Sequence, residues 1–309
     1  MGRQFETEGK CRCGREGRLF HFTELGGPLC EWCFPRSVQR RVEQFVRRYR
    51  MIPKGATAAV ALSGGKDSGG LLHILGELRP RLNFGLVAVH VDMELGEYSQ
   101  VSKRVCEEVA ASVGVALHIA APSEWGVRVE ATGRWPICAV CGGVRRAILP
   151  VLARHAGADV LCTGHTLDDQ LVYALKDLLS GHAHPPRPVL PATPGFPQKA
   201  KPLFYLPEEA MRVYCELQRV PTVPVACPRF NPATHRFKEV FEQLEKLAPM
   251  GKQQLLHSLS RFIVRPKGPG RHEHPCPRCG IPTNFSPCPL CRLREAQAGQ
   301  TSCGEEPSR

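Results

Sequence analysis

The stretch from Ala58 to Leu72 limits the possible fold more than any other. Ala58-Ala59-Val60-Ala61-Leu62 is apolar and built of small or branched residues. Ser63-Gly64-Gly65-Lys66-Asp67-Ser68 follows, and Gly69-Gly70-Leu71-Leu72 opens an apolar series of helical character. The pattern predicts a buried strand, a glycine turn and a helix. Glycine lets the backbone approach an anion closely, and a helix N-terminus offers unpaired N–H groups and the positive end of its dipole. Lys66 adds a point charge, and Ser63 and Ser68 add hydroxyls. The loop is not a Walker A loop, which reads G-x-x-x-x-G-K-[ST]; here Asp67 follows the lysine.

The chain then alternates. Phe84 to Asp92 reads as a second buried strand, Val101 to Val113 as a helix, Val115 to Ala120 as a third strand and Asp159 to Cys162 as a fourth. This alternation argues for an α/β fold with a doubly wound parallel sheet. Ligands of such sheets bind at the carboxyl ends of the strands, which gathers the glycine loop, His90-Val91-Asp92 and Gly164-His165-Thr166-Leu167-Asp168-Asp169 around one crevice. Paired carboxylates at a strand end suit Mg²⁺ beside phosphates; Asp168 also suits a helix N-cap.

Fifteen cysteines are many for a chain of 309 residues without an apolar signal segment or spanning run, so the expected location is the cytosol, and metal is expected ahead of disulfides. Cys11 and Cys13 with Cys30 and Cys33, and Cys276 and Cys279 with Cys288 and Cys291, have the paired spacing of tetrahedral zinc sites. His21 is a spare candidate ligand. Cys138-Ala139-Val140-Cys141 could be a redox pair, half a zinc site or part of an iron–sulfur site. Cys162 reads as core, Cys303 as a bystander, and Cys227, taken alone, as a structural thiol. A net charge of +12 suggests a polyanionic partner, nucleic acid ahead of membrane. Residues 36–50 read as an amphipathic helix with a basic face, open to RNA contact or to plain solvation. Residues 235–264 read as helical, with Phe237, Val240, Phe241, Leu244 and Leu247 on a packing stripe.

The loop Ser63-Gly64-Gly65-Lys66-Asp67-Ser68 is similar to the pyrophosphate loop (PP-loop) of ATP pyrophosphatases. Together with His90-Val91-Asp92, Gly96-Glu97-Tyr98-Ser99, Cys138-x-x-Cys141-Gly142, Gly164-His165-x-x-Asp168-Asp169, Lys201-Pro202-Leu203, Cys227-Pro228 and the two cysteine quartets, the chain resembles the tRNA 2-thiouridine synthetases of the TtuA type, relatives of the TtcA-type cytidine thiolases, over nearly its full length. The resemblance implies a zinc knuckle in residues 1–35, a PP-loop catalytic domain in 36–264, a zinc ribbon in 265–295 and a disordered tail in 296–309. It also implies that ATP and Mg²⁺ are held by Leu62 to Ser68, His90, Val91, Gly164 and His165. Cys138, Cys141 and Cys227 would carry a [4Fe–4S] cluster with one open iron, and two Zn²⁺ would fill the quartets. Asp169, Asp168, Lys66 and Arg145 are the implied catalytic residues. The implied partners are tRNA, a ubiquitin-like thiocarboxylated sulfur carrier and a second copy in a homodimer, with no membrane.

Two departures stand out. The first quartet opens with C-x-C where the resemblance leads one to expect C-x-x-C. A lysine is expected where Arg145 stands. Arginine keeps the charge but does not release a proton in water, so Arg145 can serve if the group stabilises charge, and activity is altered if it must transfer a proton. Three alternative readings remain: a PP-loop ligase or amidase in which an amine attacks, a cytidine thiolase, and a zinc-ribbon RNA-binding protein with a relic ATP site.

Overall fold

The computed structural model describes residues 6–132, 135–229, 232–263, 274–283 and 285–301. Residues 264–273 and Cys303 lie outside the described residues. Three short strands come first: β1 (Glu6–Lys10), β2 (Glu16–Phe22) and β3 (Gly27–Cys30), forming an antiparallel sheet. Helix α1 (Cys33–Arg48) follows, then β4 (Thr57–Leu62), α2 (Lys66–Leu82), β5 (Gly85–Val91), α3 (Glu97–Val113), β6 (Leu117–Ala120), α4 (Ile137–His155), β7 (Val160–Thr163) and α5 (Leu167–Leu179). The chain continues through β8 (Val189–Leu190), β9 (Gln198–Ala200), α6 (Glu208–Leu217), α7 (Pro232–Leu247), α8 (Gly251–Phe262), β10 (His274–Pro275), β11 (Pro282–Thr283) and α9 (Pro289–Thr301).

The central sheet has the order β6-β5-β4-β7-β9-β8, parallel except for the β8–β9 pair. The strand order reverses beside β4, which pairs with β5 on one side and β7 on the other. That is the switch point where such sheets open a crevice. Alternate residues of β4 face opposite layers. Ala58, Val60 and Leu62 join the core formed with α1, α2 and α6, while Ala59 faces the core built on α4. Burial on both faces explains why the strand reads as a continuous apolar run. Gly70 lets α2 approach α6, since a Cβ there would stand 2.6 Å from Met211 and 2.7 Å from the Cys215 sulfur.

The two cysteine-rich ends are fastened to this body. Phe20 and Phe22 pack on Phe34 of α1, at ring separations of 5.2 and 5.4 Å. At the other end, Cys276, Cys288, Leu290 and Leu293 share one core with Val140, Val144 and Ile148 of α4. The Gln297 side chain accepts from Arg128 N and donates to Arg128 O, at 3.1 and 2.8 Å. This docking carries α9 on to Thr301, so residues 296–301 are helical rather than a disordered tail; 302–309 lie outside the described residues. The helix expected over 235–264 is two helices, turned at Met250 with φ 66°. Phe241 is buried there, but Val240 and Leu247 are exposed, because they lie to one side of the stripe of Phe237, Phe241 and Leu244 that packs on α5 and α8.

Candidate functional site

The glycine loop joins β4 to α2 at the switch point. Gly65 is the N-cap residue of α2 with no side-chain cap, so the first-turn N–H groups are available to an anion. Gly64 has φ +77°, and a Cβ there would lie 2.6 Å from Val223 Cγ2 and 2.7 Å from Ser102 Oγ. Gly164 seals the other side; its Cβ would meet the Asp67 carbonyl carbon and Ser68 N at 2.9 Å. Ser63 Oγ and Ser68 Oγ lie 3.1 Å apart, and Ser68 Oγ donates to Gly65 O at 3.0 Å. Gly64→Ala is therefore expected to cost about 1–3 kcal/mol of stability and to weaken ATP binding by roughly ten-fold or more, as read by denaturant unfolding and ATP titration.

Charged side chains converge on this loop. Lys66 Nζ donates to Glu208 Oε1 at 2.6 Å and to Asp67 Oδ2 at 3.1 Å. Lys238 of α7 bonds to the other oxygen of Glu208 and to Asp169 Oδ1, the latter at 2.8 Å. Burial opposes charge on Glu208, but Lys66 and Lys238 outweigh it and hold its carboxyl down at about 2. Burial pushes the Asp67 carboxyl up to about 7 despite Lys66, and Asp67 Oδ1 is buried without a partner. Such an orphaned carboxylate oxygen is a cost that a bound cation relieves.

The paired aspartates have different tasks. Asp169 Oδ2 accepts from Thr166 N and Thr166 Oγ1 at 3.1 and 3.2 Å, completing a capping box with Thr166 as the N-cap of α5. Asp168 is buried; its Oδ1 takes Lys252 Nζ and its Oδ2 takes Glu208 N, both at 2.7 Å. Asp168 thus ties α5, α6 and α8 together. It is not the N-cap residue, and both its oxygens are engaged. Lys201 donates to Gln170 Oε1 at 2.7 Å, and burial lowers its pKa to about 8 against the pull of Asp169.

That shift has a measurable sign. Between about 8 and the ordinary 10.5 the unfolded chain keeps the proton that folded Lys201 has lost. Stability therefore rises with pH across that window. Lys201→Met should flatten this rise in denaturant melts taken over the same range.

His90 is the penultimate residue of β5, level with Leu62, whose carbonyl lies 3.0 Å from its Nδ1. Its Nε2 is buried and unpartnered, and burial depresses its pKa. His165 Nδ1 lies 2.8 Å from Thr163 Oγ1, and its ring meets Tyr173 edge-on at 5.6 Å. Val91 ends the same strand and is buried.

Cys138 and Cys141 stand in the first turns of α4, and Cys227 lies two residues before Arg229. Cys138 Sγ donates to Arg229 O at 3.1 Å, which brings the 227–229 loop to the N-terminus of α4. Burial raises the Cys141 thiol, Arg145 lowers it, and the charges of Cys227 and Cys138 reach it. The charge of Arg145 also reaches His90, Tyr98 and Cys106. The loop to Cys227 is anchored to the phosphate loop, since Val223 N donates to Gly64 O at 2.9 Å. The three sulfurs do not all fall within 4.8 Å of one another, whereas those of each quartet do. The tight grouping of each quartet suits a single tetrahedral ion; the thiols of Cys138, Cys141 and Cys227 are the donor type of an iron–sulfur site. The C-x-C pair closes the first quartet as well as a C-x-x-C pair closes the second. His21 is outside it, 2.6 Å from Thr7 Oγ1. Cys162 is fully buried in the core, with its thiol pushed up to about 12.

Glu208, Lys238 and Lys252 were not among the expected site residues. Pro207 and Glu208 give the signal of a helix start, but no pattern marks two lysines on amphipathic helices as partners of distant carboxylates.

Fold and site together define a PP-loop protein: the sequence matches the PP-loop domain family over residues 35–221, and the chain belongs to that family. Within it, the chain is a member of the tRNA 2-sulfurtransferases, enzymes of tRNA thiolation. It is 31% identical to the tRNA-5-methyluridine(54) 2-sulfurtransferase of Thermotoga maritima, over 93% of this chain and 96% of that protein. It is 30% identical to the tRNA 2-thiolation protein NcsA of Haloferax volcanii, over 92% and 98%. The fold matches the U34-tRNA thiolase NcsA from Methanococcus maripaludis, solved with its [4Fe–4S] cluster, at a TM-score of 0.79 and 23% identity, covering 97% of this chain and 98% of that one. Among the described residues no helix is long and apolar enough to cross a membrane.

Proposed function

We propose that this chain thiolates a tRNA uridine at its 2-position after activating the base with ATP, in the cytoplasm. The observation that carries the reading is the Val223–Gly64 backbone bond, which ties the chain leading to Cys227 to the Ser63–Ser68 loop, while Cys138 bonds to Arg229 O just beyond Cys227.

ATP places its pyrophosphate on the loop N–H groups, Lys66 and the α2 dipole. The uridine O2 attacks the α-phosphorus; the bond to the bridging oxygen breaks, and pyrophosphate leaves. A Mg²⁺ ion held near Asp67 would neutralise charge on the phosphates. Lys66 stabilises the leaving charge, exchanging Glu208 for phosphate oxygens, while Lys238 keeps Glu208 and Asp169 charged. Asp67, with its orphaned oxygen, is the carboxylate best placed to take a cation; Asp169, paired with Lys238 and Thr166 but more exposed than Asp168, comes second, and Asp168 holds the scaffold. Sulfur then replaces the adenylated O2 and AMP departs. The three thiols fit a [4Fe–4S] cluster, which when bound supplies an open iron to hold sulfide. Arg145 stabilises negative charge between base and sulfur, a role that needs no proton transfer. Zn²⁺ fills both cysteine quartets. Lys66, the thiols and Arg145 thus serve one two-stage substitution, with tRNA as acceptor, a thiocarboxylated carrier as sulfur donor and a homodimer as the working unit.

Anaerobic reconstitution with iron and sulfide, followed by incubation with tRNA and ATP, tests this. ATP-dependent 2-thiouridine is expected. A fully loaded protein that makes none, or makes 2-thiocytidine instead, overturns it.

A further inference from the structure

A cleft of about 200 Å³ lies between α4 and the C-terminal cysteine module, outside the residues assigned to ATP or sulfur. Its walls include Trp135, Arg146, Phe285 and Arg292, and its floor includes the buried Val144 and Leu293. The Arg292 guanidinium stands 5.3 Å from the centre of the Phe285 ring. Trp135 is fixed by its backbone: its N–H donates to Thr132 O at 3.1 Å, immediately before α4 begins. Arg146 folds back over Gly142, where a Cβ would meet its guanidinium at 3.1 Å. A second hollow shares Trp135 and Arg292, so the cleft continues past the ring.

Two aromatic rings, two guanidinium groups and an apolar floor form a particular combination. Flat aromatic faces take a nucleobase by stacking whatever its sequence, and arginine adds both stacking and phosphate attraction. The volume is below that of sites for drug-sized ligands and suits one planar group. The position also fits. Arg146, on the cleft wall, folds over Gly142 beside Cys141, so the cleft adjoins the first turns of α4.

We infer that the α4–ribbon cleft is a nucleobase subsite that holds one base extruded from the bound tRNA, with its backbone passing over Arg292. The inference rests on the proposed tRNA substrate. It gives the ribbon a task beyond charge: a stacking wall (Phe285) and a backbone clamp (Arg292), opposite the ring of Trp135.

The test uses the full chain and bulk tRNA, with affinity measured across a salt series and no ATP. Trp135→Leu and Phe285→Leu should each weaken tRNA binding, on the order of ten-fold or more, with the salt slope unchanged. Arg292→Gln should lower the slope by about one. ATP affinity and zinc content should match the parent in all three. Ultraviolet crosslinking of an iodouridine-substituted tRNA should attach to Trp135 or Phe285. The inference is overturned if both aromatic variants bind tRNA within about two-fold of the parent and no crosslink maps to either ring. It is equally overturned if ATP affinity falls instead. Because binding is read without turnover, a protein that binds tRNA through this cleft but fails to thiolate it would count against the proposed reaction and leave the subsite standing.

Discussion

Cys227→Ala is expected to remove the broad visible absorbance of the reconstituted iron–sulfur cluster and to reduce thiolation to background, while both zinc ions remain. In the proposed function the cluster takes three ligands from this chain, and Cys138 and Cys141 alone would not hold it. The quartets are separate: one packs against β2, the other shares the α4 core. The effect should therefore be confined to iron. ATP binding should persist, because Val223 is held to Gly64 by a backbone bond that the substitution does not touch. Retained absorbance in the variant would show that Cys227 is not a ligand.

The second large effect is expected from Lys66→Met. Lys66 is the cation at the first turn of α2 and is paired with Asp67 and Glu208. Burial works against its charge, but those two carboxylates keep it protonated. Removing a preorganised charge aimed at a leaving group costs on the order of 10²–10³ in kcat. Iron and zinc content should be unchanged. Glu208 retains Lys238 as a partner, so its carboxylate is not left unpaired in the fold. A variant whose thiolation rate stays within about three-fold of the parent would remove the loop from the chemistry.

The contrast between these residues and their neighbours explains what the sequence disclosed. Strands and loop were legible because burial on two faces and an anion-binding turn impose patterns on consecutive residues. The quartets were legible because tetrahedral geometry constrains spacing. Lys238 and Lys252 were not, since an ion pair between α7 and α5, or α8 and α5, sets no local pattern; each lysine looks like a solvated helix residue. Asp168 suited an N-cap and Asp169 ranked first as a catalytic carboxylate, but the cap belongs to Thr166 with Asp169, and Lys252 and Glu208 N hold Asp168. Val240 and Leu247 misled because helical spacing defines a stripe but not which edge of it meets a partner. The spacing that marks the two quartets says nothing of how the ends are fastened, yet Phe20, Phe22, Leu290 and Leu293 belong to the same cores as the central sheet and its helices. That packing depends on long-range topology that spacing cannot convey. Cys227 was the hardest case: a lone thiol far from Cys138 in sequence acquires meaning only where the 227–229 loop meets α4.

The central claim is that ATP activates the base oxygen that sulfur replaces. It is tested most directly with tRNA whose target uridine carries a heavy oxygen isotope at its 2-position, thiolated anaerobically with ATP and sulfide, with the released AMP analysed by mass spectrometry. The account predicts one heavy oxygen in the AMP for each 2-thiouridine formed. Unlabelled AMP alongside 2-thiouridine would contradict it, because the oxygen would then have left without ever being bound to the α-phosphorus.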